Sequence, residues 1–433
     1  MGVFVYAMAE DERENEVFAE TLGLTEPWYV ERVVFDHKRL QVDVYLAYRT
    51  GGFPCPVCGE PSPVHDTKTR RWKHLYFFQY PTYIHAKIPR VKCQKHGTRL
   101  TRIPWSRPKS RFSDAFEMFL VMLCTEMSVS AAAAMAGIHP NSAWRVLHHH
   151  VEQARKKQDL TSLRKVGVDE AAVRKGHNYV TVFCDIERPR VVDVEEGRDS
   201  STITRFKNWV KDKGKTSSGT GPGQIEQFCC DMSPAYILGI DTNFPQAEVT
   251  YDRYHVLTIV NRALDTVRRR ERTTNQAKKN LLRNTRYLWL KNPSNLTQKQ
   301  TDWLTDIKSM DLKTARAYHL KTALQRLWEH TDPAQAEKYL KKWYFWATHS
   351  RLPPMVQAAK TIKRHWDGVL QFIQSHISNG VIEGLINKIK TAMKRAYGFK
   401  KPKYLKTIIY LVAGKLDLPT PKNFEKLQPP TQS

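Results

Sequence analysis

Acid is what this chain is short of. Across 433 residues, aspartate and glutamate number 43 against 69 lysines and arginines, a formal charge of +26. An imbalance of that size points to a polyanionic partner, nucleic acid first and an anionic membrane surface second. Long apolar runs are also missing. The most apolar stretch, 118–138, is interrupted by Glu126 and several serines, which excludes a bilayer-spanning helix there. No basic segment leads into an apolar core at the N-terminus, so no secretory signal is expected. The seven cysteines are odd in number and scattered, which excludes a disulfide framework and makes a reducing cytoplasm the expected compartment.

What is present begins with an acidic segment, 1–32, readable as a short helix or a loose tail. Alternation over 30–34 and 40–46 then predicts a β-hairpin. Cys55-Pro56-Val57-Cys58-Gly59 forms a tight knuckle, and Cys93-Gln94-Lys95-His96-Gly97 repeats its spacing. Three thiolates and one imidazole so spaced suit a tetrahedral structural zinc, with His65, His74 and His85 as other possible fourth ligands. Arg70, Arg71, Lys73, Lys87, Arg90 and Lys92 around it suit a DNA backbone. Residues 98–112 read either as a basic, proline-broken linker in solvent or as a strap along a groove.

A helical segment follows. Ser113 can cap a first helix, Ser128 or Ser130 a second that Gly137 ends, and Pro140 opens a third. Helix, glycine turn and helix at this spacing resemble a helix-turn-helix unit. In the third helix Trp144, Leu147 and Val151 make the expected packing stripe. Asn141, Arg145 and His148 line another face, suited to base edges. The run His148-His149-His150 is not a second metal site, because adjacent helical residues point about 100° apart.

From residue 164 the pattern turns to strands: 165–171, 179–186 and 190–195, then a helix, a fourth strand at 225–232, a second helix and a fifth strand at 247–252. Three strands in series followed by alternating helix and strand is the order of a ribonuclease-H-like sheet. It makes Asp169 and Asp231 neighbours, with Asp185 and Asp193 as further acids that could face the same place. Alternation turns Glu170 to the opposite face. Far downstream, Ser378-Asn379-Gly380 begins an amphipathic helix on which Glu383, Asn387, Lys390 and Lys394 share one face, with Arg395 beside them. Ile382, Leu385, Ile386, Ile389 and Met393 form its packing side. Two aspartates and this glutamate suit a pair of divalent cations.

Residues 256–376 show helical periodicity without evident strands. Arg268, Arg269 and Arg270 stand in a basic run that suits a phosphate track. Trp289, Trp303, Trp328, Trp343, Trp346 and Trp366 punctuate the region; tryptophans at helical spacing are mostly core, the alternative being aromatics beside cations that stack on unpaired bases.

Gly167-Val168-Asp169-Glu170, Lys175-Gly176-His177-Asn178-Tyr179, Cys230-Asp231-Met232-Ser233 with Tyr236, and Asp252-Arg253-Tyr254-His255 together resemble the ISL-three family of bacterial insertion-sequence transposases. So do Ser378-Asn379-Gly380 with Glu383-Gly384, and Lys394-Arg395 with Tyr397-Gly398-Phe399. Tyr254 stands where that family usually has phenylalanine, and His96 where cysteine is common. The resemblance implies an α+β multidomain chain: acidic segment (1–32), zinc-binding domain (33–100), helix-turn-helix domain (101–160), a ribonuclease-H-like core in two parts (161–255 and 377–418) interrupted by an all-α insertion (256–376), and a tail (419–433). It implies a DDE enzyme in which Asp169, Asp231 and Glu383 hold two Mg2+ or Mn2+ ions. Double-stranded transposon ends and target DNA would be its substrates, and a homodimer or higher homo-oligomer would act at the bacterial nucleoid. The competing expectation is a sequence-specific DNA-binding regulator, a domesticated transposase without catalysis.

Overall fold

The computed structural model describes residues 12–173, 179–214, 221–274, 276–308, 310–375, 377, 380–399 and 401–419. Of the motif residues above, Lys175, Gly176, His177, Asn178, Ser378 and Asn379 lie outside them. The described residues form two compact units, the first of 12–158 with 416–419 and the second of 159–415.

In the first unit the acidic segment does form a helix, α1 (Glu12–Thr21). Six strands follow: β1 (Trp28–Asp36), β2 (Gln41–Tyr48), β3 (Gly52–Pro54), β4 (Pro61–Lys73), β5 (Thr82–Cys93) and β6 (Gly97–Leu100). They pair in the order β1-β2-β5-β4-β3, with β6 beside β5. The sheet therefore starts at Trp28, ahead of the expected boundary at 33. On β5 alternation buries Ile84, Ala86 and Ile88 in a core that holds Trp28, Trp72 and Trp105. The last of these corrects the reading of 98–112 as a solvated linker. The Trp105 ring meets Trp28 edge-on at 4.8 Å and Trp72 at 5.6 Å, so burial of a large aromatic folds that segment onto the sheet.

Three helices complete this unit: α2 (Asp114–Glu126), α3 (Val129–Met135) and α4 (Pro140–Lys156). The caps are local chemistry. Ser113 accepts from the Phe116 N–H, Ser128 from Ala131, and His139 from Asn141 just before Pro140. Gly137 has φ +59, in the left-handed region that lets the chain turn between α3 and α4. Glu117, fully buried, accepts from Ser110 Oγ at 2.5 Å and faces Arg107 Nε and His150 Nε2, each at 2.7 Å. Burial works against its charge, but His150, Arg107 and Ser110 hold its carboxyl below the ordinary carboxylate range. Glu117→Gln is expected to cost about 3–5 kcal/mol of stability, because it leaves the Arg107 cation without its counter-charge. The stabilisation from Glu117 is present above its unfolded value near 4.5 and is lost as pH falls through its lower folded value. Urea melts of wild type and variant between pH 3 and 7 check this: the difference should shrink towards pH 3.

The second unit is built on a sheet of β7 (Lys165–Ala172), β8 (Tyr179–Asp185), β9 (Arg190–Glu196), β10 (Gln227–Cys230) and β11 (Glu248–Tyr251). Its order is β11-β10-β7-β8-β9, antiparallel from β7 to β9 and parallel from β7 through β10 to β11. One face carries α5 (Ser200–Gly214) and α6 (Pro234–Asn243). There Phe183 stacks on Phe206 at 4.1 Å, and the Thr181 and Tyr236 hydroxyls lie 3.0 Å apart. Between β11 and the last two helices every longer element is helical: α7 (Arg253–Arg272), α8 (Gln276–Leu281), α9 (Arg286–Leu290), α10 (Gln298–Lys308), α11 (Lys313–Gln325), α12 (Pro333–Thr348), α13 (Pro353–Arg364) and α14 (Trp366–Ser375). One hydrophobic core runs from Phe228 and Tyr251 of the sheet into Leu264, Trp289 and Trp343 of these helices, so the packing does not break at residue 256.

The other face of the sheet receives α15 (Gly380–Arg395) and α16 (Pro402–Ala413). Ile382, Leu385, Ile386 and Ile389 are buried as expected, while Glu383, Asn387, Lys390 and Lys394 stay exposed. Gly167 permits this approach: a Cβ there would lie 2.2 Å from Ile382 Cδ1 and 2.5 Å from its Cγ1. Gly167→Ala is expected to cost about 1–3 kcal/mol through overpacking. Ile382→Val should restore part of that loss, and thermal melting of the single and double variants checks it.

Candidate metal centre, DNA-binding faces and acidic site

The zinc ligands are set by two knuckles, each closed by a glycine of positive φ: Gly59 at +79 and Gly97 at +67. They bring Cys55, Cys58, Cys93 and His96 together with every ligand atom within 4.8 Å of the others. Cys58 and Cys93 sulfurs lie 3.7 Å apart, and His96 Nδ1 lies 3.8 Å from Cys55 and 3.6 Å from Cys93. A tetrahedral zinc has edges of about 3.8 Å for S···S and about 3.6 Å for S···N. The site therefore fits the ion without rearrangement. Backbone N–H groups of Cys58 and Val57 lower the Cys55 thiol to about 7, which favours the ligating thiolate. The alternatives are engaged elsewhere or apart: His74 pairs with Ser113 and His85 with Asp43, each at 2.7 Å, and His65 is not in the cluster. Away from the zinc end of the sheet, where β4 pairs with His85 and Ala86 of β5, Arg70, Arg71, Lys109 and Arg111 line one cavity of about 410 Å³.

On α4, Asn141 and Arg145 are exposed and His148 is half-buried. The stripe that packs is Ala143, Val146, Leu147, Val151 and Ala154. Trp144, expected in it, is half-buried, because Val146 takes the inward position.

The acidic site follows from strand register. Cys229 of β10 pairs in parallel with Gly167 of β7, and two residues on from each stands an aspartate, Asp231 just past the end of β10 and Asp169 within β7. Asp169 shares the face of Gly167 by alternation, the face covered by α15. Its Oδ1 accepts from the Glu170 N–H at 2.7 Å, and Asp231 Oδ1 accepts from Ser233 at 3.0 Å. Burial raises the Asp169 carboxyl above its ordinary value and the charge of Asp231 adds to this, while the Glu170 N–H, His255 and Lys390 oppose it. Burial, rather than the neighbouring charges, sets the direction of that shift. Glu383 stands exposed in the first turn of α15. Among the described residues the zinc ligands are the only group of three or more that closes to 4.8 Å, so the three acids are not drawn that tightly together.

Asp185 and Asp193 are elsewhere. Asp185 pairs across β7 with Val166, on the opposite face from Asp169, and is bound by Arg190 at 3.2 Å. Asp193 accepts from the Tyr410 hydroxyl at 2.9 Å. Glu170 faces Arg198, 3.8 Å away. His255, quoted in a sequence motif but given no place at the site, is a neighbour of Asp169. Its signal was the capping Asp252 at the start of α7, which accepts from the Tyr254 N–H and fixes where the first turn begins.

Arg268 requires a correction. It is buried, pairs with Asp265 at 2.7 Å and donates to the Leu282 carbonyl at 3.2 Å, so it supports the helical packing and offers nothing to a phosphate. Arg269 and Arg270 are exposed, with Arg269 Nε 3.5 Å from Asp265.

A zinc-ligand cluster and a three-helix unit come first and a sheet bearing paired acids follows, which is the layout of a transposase. Residues 166–409 match the family model described as Transposase, 101–151 that of the helix-turn-helix domain of transposase family ISL3, and 52–96 that of the zinc-finger of transposase IS204/IS1001/IS1096/IS1165. The first spans more than half of the sequence, and the chain belongs to the ISL3 transposase family. It is 27% identical over 395 residues to the transposase for insertion sequence element IS1001 of Bordetella parapertussis, covering 89% of this chain and 95% of that protein. It is 26% identical over 382 residues to the transposase for IS1557 of two Mycobacterium tuberculosis strains, covering 81% of this chain and 83% of those. The four-ligand cluster is accordingly a structural zinc site in a DNA-binding transposase. No described helix is long and apolar enough to cross a membrane.

Proposed function

We propose that this transposase binds the terminal inverted repeats of its insertion sequence through the zinc ribbon and helix-turn-helix, then cleaves and transfers strands at Asp169, Asp231 and Glu383. The observation that carries this reading is the β7–β10 register, which brings Asp231, just past the end of β10, beside Asp169 within the neighbouring parallel strand β7. A sheet order of β11-β10-β7-β8-β9 supports a ribonuclease-H-like core. The run of helices from α7 to α14 supports an all-α insertion ahead of the glutamate.

An all-carboxylate donor set fits hard divalent ions, Mg2+ or Mn2+, better than zinc. Asp169 and Asp231 would hold them from the sheet, and Glu383 from an exposed position free to change rotamer. When bound, two such ions supply Lewis-acid activation and charge neutralisation at a phosphodiester. Lys390 lies close enough to Asp169 to bias its charge, and with Asn387, Lys394 and Arg395 it would seat the phosphates flanking the scissile bond. On the first unit, Asn141 and Arg145, with His148, would read base edges while the cations around the ribbon hold the backbone. Arg269 and Arg270 extend the phosphate track. Two ends held at once require a homodimer or higher homo-oligomer, working on nucleoid DNA in the cytoplasm.

Incubating the protein with Mg2+, end-bearing DNA and a target plasmid tests the reading. Joined products are expected. Cleavage without joining would make it a nuclease, and binding without either would make it a regulator.

A further inference from the structure

The helical region contains a second cationic site that the acids do not account for. Between α11 and the end of α12 lies a cavity of about 690 Å³, lined by Arg316, His319, Arg326, Trp346, His349 and Arg351 among others. No acid stands in its wall, and among the described residues no carboxylate pairs with Arg316, Arg326 or Arg351. The two helices are fixed to each other at its edge: Trp343 Nε1 donates to the carbonyl of Leu320 at 2.8 Å and the Tyr339 hydroxyl to that of Ala323 at 2.7 Å, both residues of the cavity wall. Trp343 is thus the structural tryptophan of α12. Trp346, one turn later, is 47% exposed and has no part in that packing.

Helix stability does not explain these cations. Arg326 and His349, at helix C-termini, are favourably placed against the dipole. Arg316 is not: it stands with Lys313 in the first turn of α11, where positive charge is disfavoured. Arg351 has φ +55, a left-handed conformation more natural to glycine or asparagine. Two arginines thus sit where the local backbone resists them, and both face one cavity. His349 is held in place by its stack on Phe345 at 4.0 Å and its 2.8 Å hydrogen bond to the Phe345 carbonyl.

A flat aromatic surface ringed by unpaired guanidinium groups matches one ligand chemistry, a planar base with attached phosphate. We infer that this cavity takes an unpaired nucleotide of DNA, its base stacked on Trp346 and its flanking phosphates on Arg316, Arg326 and Arg351. Buried stacked duplex bases cannot reach such a pocket, so the site selects extrahelical or single-stranded positions. The inference stands apart from the acidic triad, and inactive acid variants should retain it.

The test uses the full chain and a duplex carrying one bulged 2-aminopurine, with the same duplex fully paired as comparison. Binding of wild type should quench the bulged 2-aminopurine, and Trp346→Ala should abolish that quenching while Trp346→Phe keeps most of it. Arg316→Ala with Arg351→Ala should weaken binding of the bulged duplex about tenfold, within the range of base-stacking and phosphate losses, and leave the paired duplex unchanged. Trp346 is exposed, so its variants should melt as wild type does. Quenching unaffected by Trp346→Ala would overturn the inference. So would equal losses on bulged and paired duplexes, which would make the cavity a general phosphate track. So too would 2-aminopurine nucleoside monophosphate competing as well as the bulge, which would make it a site for a free nucleotide.

Discussion

Asp169→Asn, Asp231→Asn and Glu383→Gln are each expected to lower cleavage of transposon-end DNA by about 1,000-fold or more while end binding stays within about twofold. The carboxamides keep size and hydrogen-bonding shape but lose the anionic oxygen a hard cation needs. Binding is spared because the ribbon and the helix-turn-helix lie in the other unit of the chain. Asp169→Asn carries a second signature. Its carboxyl is pushed up by burial and by Asp231, so the folded state disfavours its charge. Removing that charge should leave the melting temperature unchanged or raise it while activity is lost, as expected of a site strained for function. Gel-shift titration, end cleavage and calorimetry on the same preparations check all three readings. A variant that cut at the wild-type rate would remove its residue from the site.

Loss of zinc should have an effect of comparable size on a different readout. The four ligands hold the short strands β3 and β6 to the end of β5 at one end of the first sheet. Structural zinc contributes about 10 kcal/mol or more to such sites. Cys58→Ser or Cys93→Ser should drop bound zinc from one per chain to near zero and lower the first unit's melting temperature by roughly 10 °C or more. End binding should fall with it. Because the tryptophan core of Trp28, Trp72 and Trp105 is independent of the metal, the sheet should persist in far-ultraviolet circular dichroism. Metal analysis and scanning calorimetry decide the matter. Full zinc content in Cys58→Ser would mean another side chain completes the site.

Features set by neighbouring residues were legible in the sequence. Ser113, Ser128, Gly137 and Pro140 mark helix ends because capping and left-handed turns are local chemistry. The zinc knuckles are local for the same reason, and strands of the second sheet such as β8 and β9 are legible as short apolar runs buried on both faces. Features that depend on rotation about a helix or on distant packing were not. Arg268, Arg269 and Arg270 look alike in sequence, yet each residue turns the helix by about 100° and only Arg268 is carried inward to Asp265. Trp343 and Trp346 share a spacing that fits core, but the partner helix α11 covers one and leaves the other at a cavity edge. Trp105 could not be told from a linker residue, because the tryptophans it meets come from strands far away in the chain. The proximity of His255 to Asp169 depends on where β11 hands over to α7. The acids were legible only as a pair plus one: register fixes Asp169 beside Asp231, while no local rule fixes Glu383.

That third acid is where the account is most exposed. Supplying Fe2+ in place of Mg2+ to the DNA-bound protein, then adding ascorbate and peroxide, cuts the polypeptide within a few ångströms of any bound metal. Cuts are expected next to Asp169, next to Asp231 and within the first turn of α15 beside Glu383, all suppressed by excess Mg2+. Cuts at the two aspartates with none near Glu383 would contradict the claim that the three side chains share one hard-cation site.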